Sequence, residues 1–142
     1  MTSTAIADRS FLFRTGVLCA QVLRLLRNGI SFTEREGGRI AGADRLLTRM
    51  VEVKRYLDDR RVKPSDEAIS EYIAIREIMV ANAWRFPDSS MSGVEKLLVP
   101  LRGLLKGETI SVEDLDAARA FFTAMSGLML SACQDREPDD DD

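Results

Sequence analysis

Apolar residues recur every three or four positions along most of the chain, which is the spacing of one face of an α-helix. No segment alternates apolar and polar residues with a period of two, and no Asn-Gly or Asp-Gly turn joins two apolar runs. The sequence therefore predicts an all-α protein, a compact bundle of about five helices. The predicted helical segments are residues 5–28, a short turn at 33–36, 39–60, 65–85, 92–106 and 111–133.

Three glycines interrupt the second segment, and a proline interrupts the fourth. Because a glycine costs a helix interior about 1 kcal/mol relative to alanine, we expect a break or kink between the short turn and the strong helix that follows it. The alternative is a close helix crossing, since a glycine has no side chain to hold two backbones apart. The proline should kink or divide its helix. The residues concerned are Gly37, Gly38, Gly42 and Pro100.

Residues that favour helix ends stand between these segments. A serine followed three residues later by a glutamate has the capping-box spacing, in which each side chain binds the backbone N–H group of the other residue. A serine alone is also a good N-cap. Gly107 should close the fourth helix. The predicted helix starts are Ser31 with Glu34, Ser65, Ser92 with Glu95, and Ser111.

The segment from Ser65 to about Arg85 is apolar around most of its circumference. A helix with this composition is usually central to a core or to an interface. Trp84 and Phe86 stand at its end, and both are predicted to be core residues, because aromatic side chains at helical spacing are more often packed inside than bound to a ligand.

The composition excludes several kinds of chemistry. The 142 residues suggest one domain, with an apolar fraction of 45% and a charged fraction of 30% that are typical of a folded globule. The absence of histidine excludes Ser-His-Asp and Cys-His nucleophiles and histidine metal ligands. Gly37-Gly38 follows no strand, so it does not resemble a phosphate-binding loop. We therefore predict no catalytic residue, no metal site, no cofactor and no small-molecule substrate.

The two cysteines, Cys19 and Cys133, are too few for a disulfide scaffold or a four-thiolate zinc site. We expect each to be a small buried apolar residue in a reducing compartment. Arg14, Arg24 and Arg27 interrupt the apolar positions of the first helix, so this helix is too polar for a secretory signal or a membrane span. The sequence predicts a soluble cytoplasmic protein.

Charge is distributed unevenly along the chain. Residues 1–63 contain 13 of the 20 basic and 7 of the 23 acidic residues, whereas residues 64–142 contain 7 basic and 16 acidic residues. The basic residues of the first half are mostly arginines, whose planar guanidinium fits phosphate and carboxylate groups. We predict a nucleic-acid-binding surface on the outer side of the second long helix. Its candidate residues are Arg35, Arg39, Arg45, Arg49, Arg55, Arg60 and Arg61.

Three hypotheses account for this surface. It binds a nucleic-acid backbone without reading its sequence. Alternatively, it is an ordinary salt-bridged surface, since Glu52 lies three residues from both Arg49 and Arg55. In the third hypothesis, the basic half of one copy docks on the acidic half of a neighbouring copy. The sequence leaves all three open.

Three stretches of the chain carry a family resemblance, in order along most of its length: Ile30–Arg35, Ile78–Arg85 and Leu115–Phe122. Together they resemble the small helical subunit of type III CRISPR effector complexes. This resemblance implies a non-catalytic subunit that packs beside copies of itself and contacts guide and target RNA backbones. Family members often end the last helix with aromatic and basic residues, whereas this chain has Leu128-Met129-Leu130 at that point.

These observations predict a non-catalytic accessory subunit of a larger assembly that binds nucleic-acid backbone, RNA in particular. The alternative is a protein-only adaptor or homo-oligomeric module. We expect a single helical domain over residues 1–134 and a disordered acidic tail over 135–142. The tail should screen the basic half and weaken its binding to polyanions.

Overall fold

The computed structural model describes residues 2–28, 33–59, 62–86 and 91–135, and side chains within these ranges for residues 9–27, 33–59, 62–86 and 93–133. All regular structure in these ranges is helical, so the protein is all-α, as predicted. The helices are α1 (Thr2–Asn28), α2 (Glu34–Asp59), α3 (Asp66–Ala81), α4 (Met91–Leu105) and α5 (Val112–Asp135), and a 3₁₀ turn covers Ala83–Arg85.

The first and last helices form the most extensive contact of the bundle. They run antiparallel, because Cys133 lies beside Arg9 at one end and Arg119 lies beside Leu26 at the other. Between these points, a Cβ atom added to Gly16 would lie 2.8 Å from the side chain of Leu130. The two backbones therefore approach each other closely, and Gly16 permits this approach.

α2 and α4 form a second antiparallel pair, because Asp44 pairs with Arg102 at one end and Arg55 with Glu95 at the other. Contacts of α2 with α1 and of α4 with α5 join the two pairs. α3 packs mainly on α2, with a smaller contact to α1. The shared core contains Phe86, Phe121 and Phe122, whose rings pack in tilted and edge-on geometries. Its largest fully buried side chains also include Leu12, Ile40, Leu47, Met50, Ile75, Met79 and Leu101.

The glycines of the second segment do not break it, so the predicted break is wrong. α2 is one helix of 26 residues that passes through Gly37, Gly38 and Gly42. A Cβ atom at Gly38 would meet nothing within 4 Å, and one at Gly42 would lie 3.7 Å from Leu18, an ordinary contact distance. The packing of the buried side of α2 outweighs the helix propensity of its glycines. Pro100 likewise lies inside α4 without dividing it.

The predicted helix starts are partly correct. The hydroxyl of Ser65 accepts a hydrogen bond from the Ala68 N–H at 3.1 Å, and Ser111 caps α5 in the same way. Ser31 lies outside the described residues, and the capping box of α2 is formed by Thr33 and Glu36, two residues later. Each of these side chains accepts a hydrogen bond from the other residue's backbone N–H, at 3.2 and 2.8 Å.

α4 begins at Met91, one residue before the predicted cap Ser92, whose side chain lies outside the described residues. The prediction for the other end of α4 is confirmed. Gly107 has a φ of 75°, and the N–H of Glu108 binds the carbonyl of Gly103 at 2.8 Å. This is the hydrogen bond of a left-handed glycine C-cap.

α3 ends at Ala81, four residues before the predicted end, because the Asn82 side chain donates a hydrogen bond to the Ile78 carbonyl at 2.9 Å. The 3₁₀ turn that follows points Trp84 outward, where it is 77% exposed with the Arg85 guanidinium 4.8 Å from its ring centre. The prediction that Trp84 is a core residue is therefore wrong, whereas the same prediction for Phe86, which is buried, is confirmed.

Candidate nucleic-acid interface

The predicted arginines of α2 do not all share one side of the helix. At 3.6 residues per turn, Arg35, Arg39, Arg45 and Arg49 fall within about 120° of its circumference. Arg55 lies about 80° outside this arc, on the side that faces α4. Its guanidinium forms an ion pair with Glu95 of α4 at 3.0 Å. Arg60 and Arg61 lie outside the described residues.

Arg49 lies on the arc but is held by a carboxylate of another helix. Its guanidinium is 3.1 Å from Glu71 of α3, whose side chain is largely buried. Burial raises the pKa of Glu71, and the positive charges of Arg49 and Arg14 oppose that increase. The pair leaves Arg49 less free to bind an external anion than an arginine without a carboxylate neighbour.

In a third ion pair, α2 supplies the carboxylate and α4 supplies the arginine. Asp44 of α2 accepts a hydrogen bond from Arg102 of α4 at 2.8 Å, and the same guanidinium binds the Thr48 hydroxyl at 2.9 Å. The hydrogen bond to Asp44 raises the pKa of Arg102. The charges of the two halves therefore meet within one chain, and the hypothesis of a salt-bridged surface describes the α4-facing side of α2. The acidic partners of Arg49 and Arg55 are Glu71 of α3 and Glu95 of α4, not the nearby Glu52 of α2.

The remaining predicted arginines, Arg35, Arg39 and Arg45, form no ion pair with any described residue. Arg35 and Arg45 are exposed and Arg39 is half-buried. Gly38 lies between them with open space over its backbone. This part of α2 therefore presents guanidinium groups beside a surface without a bulky side chain.

The site prediction missed two exposed arginines near the end of α1, the helix that precedes α2. Arg24 and Arg27 stand in the last turns of α1, and neither forms an ion pair within the described part of the chain. Arg35 and Arg39 stand in the first turns of α2. We call these four residues the turn arginines, because they flank the α1–α2 connection at one end of the bundle. Their sequence signal was the three-residue spacing of Arg24 and Arg27 on the polar side of α1.

The four turn arginines outnumber the carboxylates of the neighbouring helix ends, Glu34 and Glu36. Between residues 9 and 27, α1 contains no acidic residue. Two carboxylates at the start of α2 oppose this charge: Glu34, which is exposed, and Glu36, which accepts a hydrogen bond from the Thr33 N–H and keeps its charge. The N-terminus of α2 adds the positive end of a helix dipole. This end of the hairpin can therefore hold phosphate groups by charge-assisted hydrogen bonds.

Three further features of the described ranges concern metal ligands, membrane spans and the cysteines. They contain no group of three or more His, Cys, Asp or Glu residues that could hold a metal ion. None of their helices is long and apolar enough to cross a bilayer. Cys19 and Cys133 are free and buried, as predicted, and burial raises the pKa of the Cys19 thiol to about 12.

The fold and this surface define a class, an all-α helical bundle with an arginine-lined end. Comparison with known proteins adds no narrower assignment, since no family model, no curated protein and no solved structure matches the chain.

Proposed function

We propose that the protein is a non-catalytic accessory subunit that binds nucleic-acid backbone, RNA in particular, through the turn arginines and Arg45. The observation that carries this proposal is the location of four arginines without carboxylate partners, among the described residues, at one end of the α1–α2 hairpin. The resemblance to the small helical subunit of type III CRISPR effector complexes implies the same role.

Arginine binds phosphate through several N–H donors in one plane, and contacts of this kind do not depend on base sequence. The expected binding is therefore tolerant of sequence and sensitive to salt, because each phosphate contact releases counterions. Free buried cysteines are typical of a reducing compartment, which supports a cytoplasmic location for this subunit.

The test compares two double variants that lose the same charge. Arg27→Gln with Arg35→Gln removes two turn arginines, and Arg55→Gln with Arg102→Gln removes two arginines that already bind carboxylates. Affinity for single-stranded RNA is measured at about 50 mM salt, where such contacts are strong. The first variant should lose affinity by roughly tenfold, and the second by less than twofold.

Thermal unfolding of both variants, measured in parallel, confirms that each remains folded under the binding conditions. RNA binding that is undetectable in the unmodified protein would overturn the proposal. Equal losses in the two variants would show that only net charge matters, and would overturn the assignment to the turn arginines.

A specific observation favours a second function, self-association through α3. This helix was expected at the centre of a core or an interface, but it lies at the edge of the bundle. Its outer side exposes Ile73 (48%) and Val80 (58%), followed by Trp84 (77%). Ile73 and Val80 are seven residues apart, so they share one side of the helix.

In an antiparallel pair of α3 helices, Ile73 of each copy would face Val80 of the other, the self-complementary contact that a two-fold dimer requires. The resemblance also implies packing beside copies of the same chain. Sedimentation equilibrium at about 100 μM should reveal dimers that Val80→Glu abolishes, because the substitution would bury an unpaired charge. A monomer at that concentration would refute this second proposal.

A further inference from the structure

Arg49 continues the row of arginines on α2 beyond the surface proposed above. It lies four residues after Arg45, the spacing that places both side chains on one side of a helix. A guanidinium nitrogen of Arg45 lies over the backbone of Gly42, 3.8 Å from the position of an added Cβ atom. A nucleic-acid backbone that follows this side of α2 from the turn arginines therefore meets Arg45 first and Arg49 next.

In the structure, the Glu71 carboxylate of α3 neutralises Arg49. A guanidinium nitrogen of Arg49 lies 3.1 Å from a carboxylate oxygen of Glu71. The side chain of Arg49 is 41% exposed, whereas that of Glu71 is only 13% exposed, so the arginine is the member of the pair that solvent reaches. A guanidinium carries five N–H donors, and one carboxylate uses at most two of them. Arg49 therefore has donors left for an anion that approaches from solvent.

Glu71 also has a second arginine within electrostatic range. Burial raises the pKa of its carboxyl and Glu67 adds to this increase, whereas Arg49 of α2 and Arg14 of α1 oppose it. Arg14 is exposed, and its charge continues to compensate Glu71 when Arg49 binds another anion. Together with Arg45, three guanidinium groups stand against two carboxylates in this region, so the positive charge is in excess.

We propose that Arg49 is a further phosphate-binding residue of the nucleic-acid surface and that Glu71 is its competitor within the same chain. A phosphate group of the bound strand takes the place of the Glu71 carboxylate, whose charge Arg14 then compensates. The inference rests on the function proposed above and adds a regulation to the same surface. Glu71 weakens binding without preventing it, because its ion pair with Arg49 must break before that arginine contacts the strand.

The test compares two substitutions that each remove the carboxylate partner of one α2 arginine. Glu71→Gln releases Arg49, on the side that carries Arg45. Glu95→Gln releases Arg55, on the side that faces α4, and gives the same net charge. Affinity for a short oligouridylate is measured at about 50 mM salt. It should rise by about fivefold in the first variant, equivalent to about 1 kcal/mol at 1.4 kcal/mol per factor of ten, and by less than twofold in the second.

Substitution of the arginines separates a direct phosphate contact from a change in net charge. Arg49→Gln should reduce the magnitude of the slope of log K against log salt concentration by about 0.7, the value for one phosphate of a single strand. Arg55→Gln should leave the slope unchanged. In an Arg49→Gln background, Glu71→Gln should change the affinity by less than twofold. Thermal unfolding of each variant, measured in parallel, confirms that it remains folded.

The unmodified protein provides a measurement that needs no substitution. On addition of the oligouridylate, the Nε–H resonance of Arg49 should shift, and that of Arg55 should not. An unmoved Arg49 resonance, or equal gains in affinity in Glu71→Gln and Glu95→Gln, would overturn the inference and leave the proposed function intact. Absence of oligouridylate binding in the unmodified protein and in every variant would overturn the proposed function, and this inference with it.

Discussion

Gly16 and Gly38 both lie inside long helices, but their replacement by alanine should change the stability in opposite directions. Alanine in a helix interior is favoured over glycine by about 1 kcal/mol. A Cβ atom at Gly38 meets nothing within 4 Å. Gly38→Ala should therefore keep most of this gain and raise the free energy of unfolding by about 0.5–1 kcal/mol.

At Gly16, a steric conflict opposes the same gain in helix stability. The new Cβ atom would lie 2.8 Å from both Cγ and Cδ2 of Leu130 and 3.3 Å from its backbone nitrogen. A rotamer change moves the side-chain atoms away but leaves the backbone nitrogen, so α1 and α5 must also separate slightly. Overpacking of this kind costs about 1–3 kcal/mol. After subtraction of the helix gain, we expect Gly16→Ala to lower the free energy of unfolding by about 1 kcal/mol.

Urea unfolding followed by circular dichroism measures both variants. With a slope of about 2 kcal/mol per molar urea, the midpoints should move by roughly 0.5 M in opposite directions. Gly127→Ala is the control, because Gly127 is also helical and has nothing within 4 Å of an added Cβ. A Gly16→Ala protein as stable as the Gly38→Ala protein would refute the close α1–α5 approach.

Three further predictions follow from single side chains. Arg119 donates hydrogen bonds at 3.2 and 2.8 Å to the Leu26 carbonyl in the last turn of α1, so Arg119→Met should lower the unfolding free energy by about 1 kcal/mol in urea titrations. Cys19, with a thiol pKa of about 12, should not react with a thiol reagent at pH 8 until the chain is unfolded. Burial raises the pKa of the Glu71 carboxyl above its ordinary 4.5. The contribution of this carboxyl to the free energy of unfolding is therefore fully present below pH 4.5, and it is lost as the pH rises through the folded-state pKa. Glu71→Gln should flatten this decline in pH-dependent unfolding, and an unchanged profile would contradict the assignment.

Much of the fold could be predicted from local patterns. The apolar spacing gave five helices, and single residues such as Ser65 and Gly107 fixed helix ends, because a cap acts within one turn. The break at Gly37 and Gly38 was predicted wrongly, since helix propensity is a small energy that the packing of a long helix outweighs. The exposure of Trp84 depends on a 3₁₀ turn that the apolar spacing does not reveal.

The candidate surface was predictable only in part, for a different reason. Its arginines are visible in the sequence, but which of them are already neutralised depends on contacts between helices. Arg55 and Glu95 are separated by 40 positions, so no local spacing could have paired them. The sequence-based prediction therefore treated Arg49 and Arg55 like Arg35, and missed Arg24 and Arg27 on another helix.

The most direct test of the proposed function is the salt dependence of RNA binding. For a single strand, the slope of log K against log salt concentration changes by about 0.7 for each phosphate contact. Replacement of the turn arginines by glutamine should therefore reduce the magnitude of the slope by up to about 3, if all four contact phosphates. A slope that stays the same in this variant would contradict the account, because these arginines would then not bind the RNA backbone.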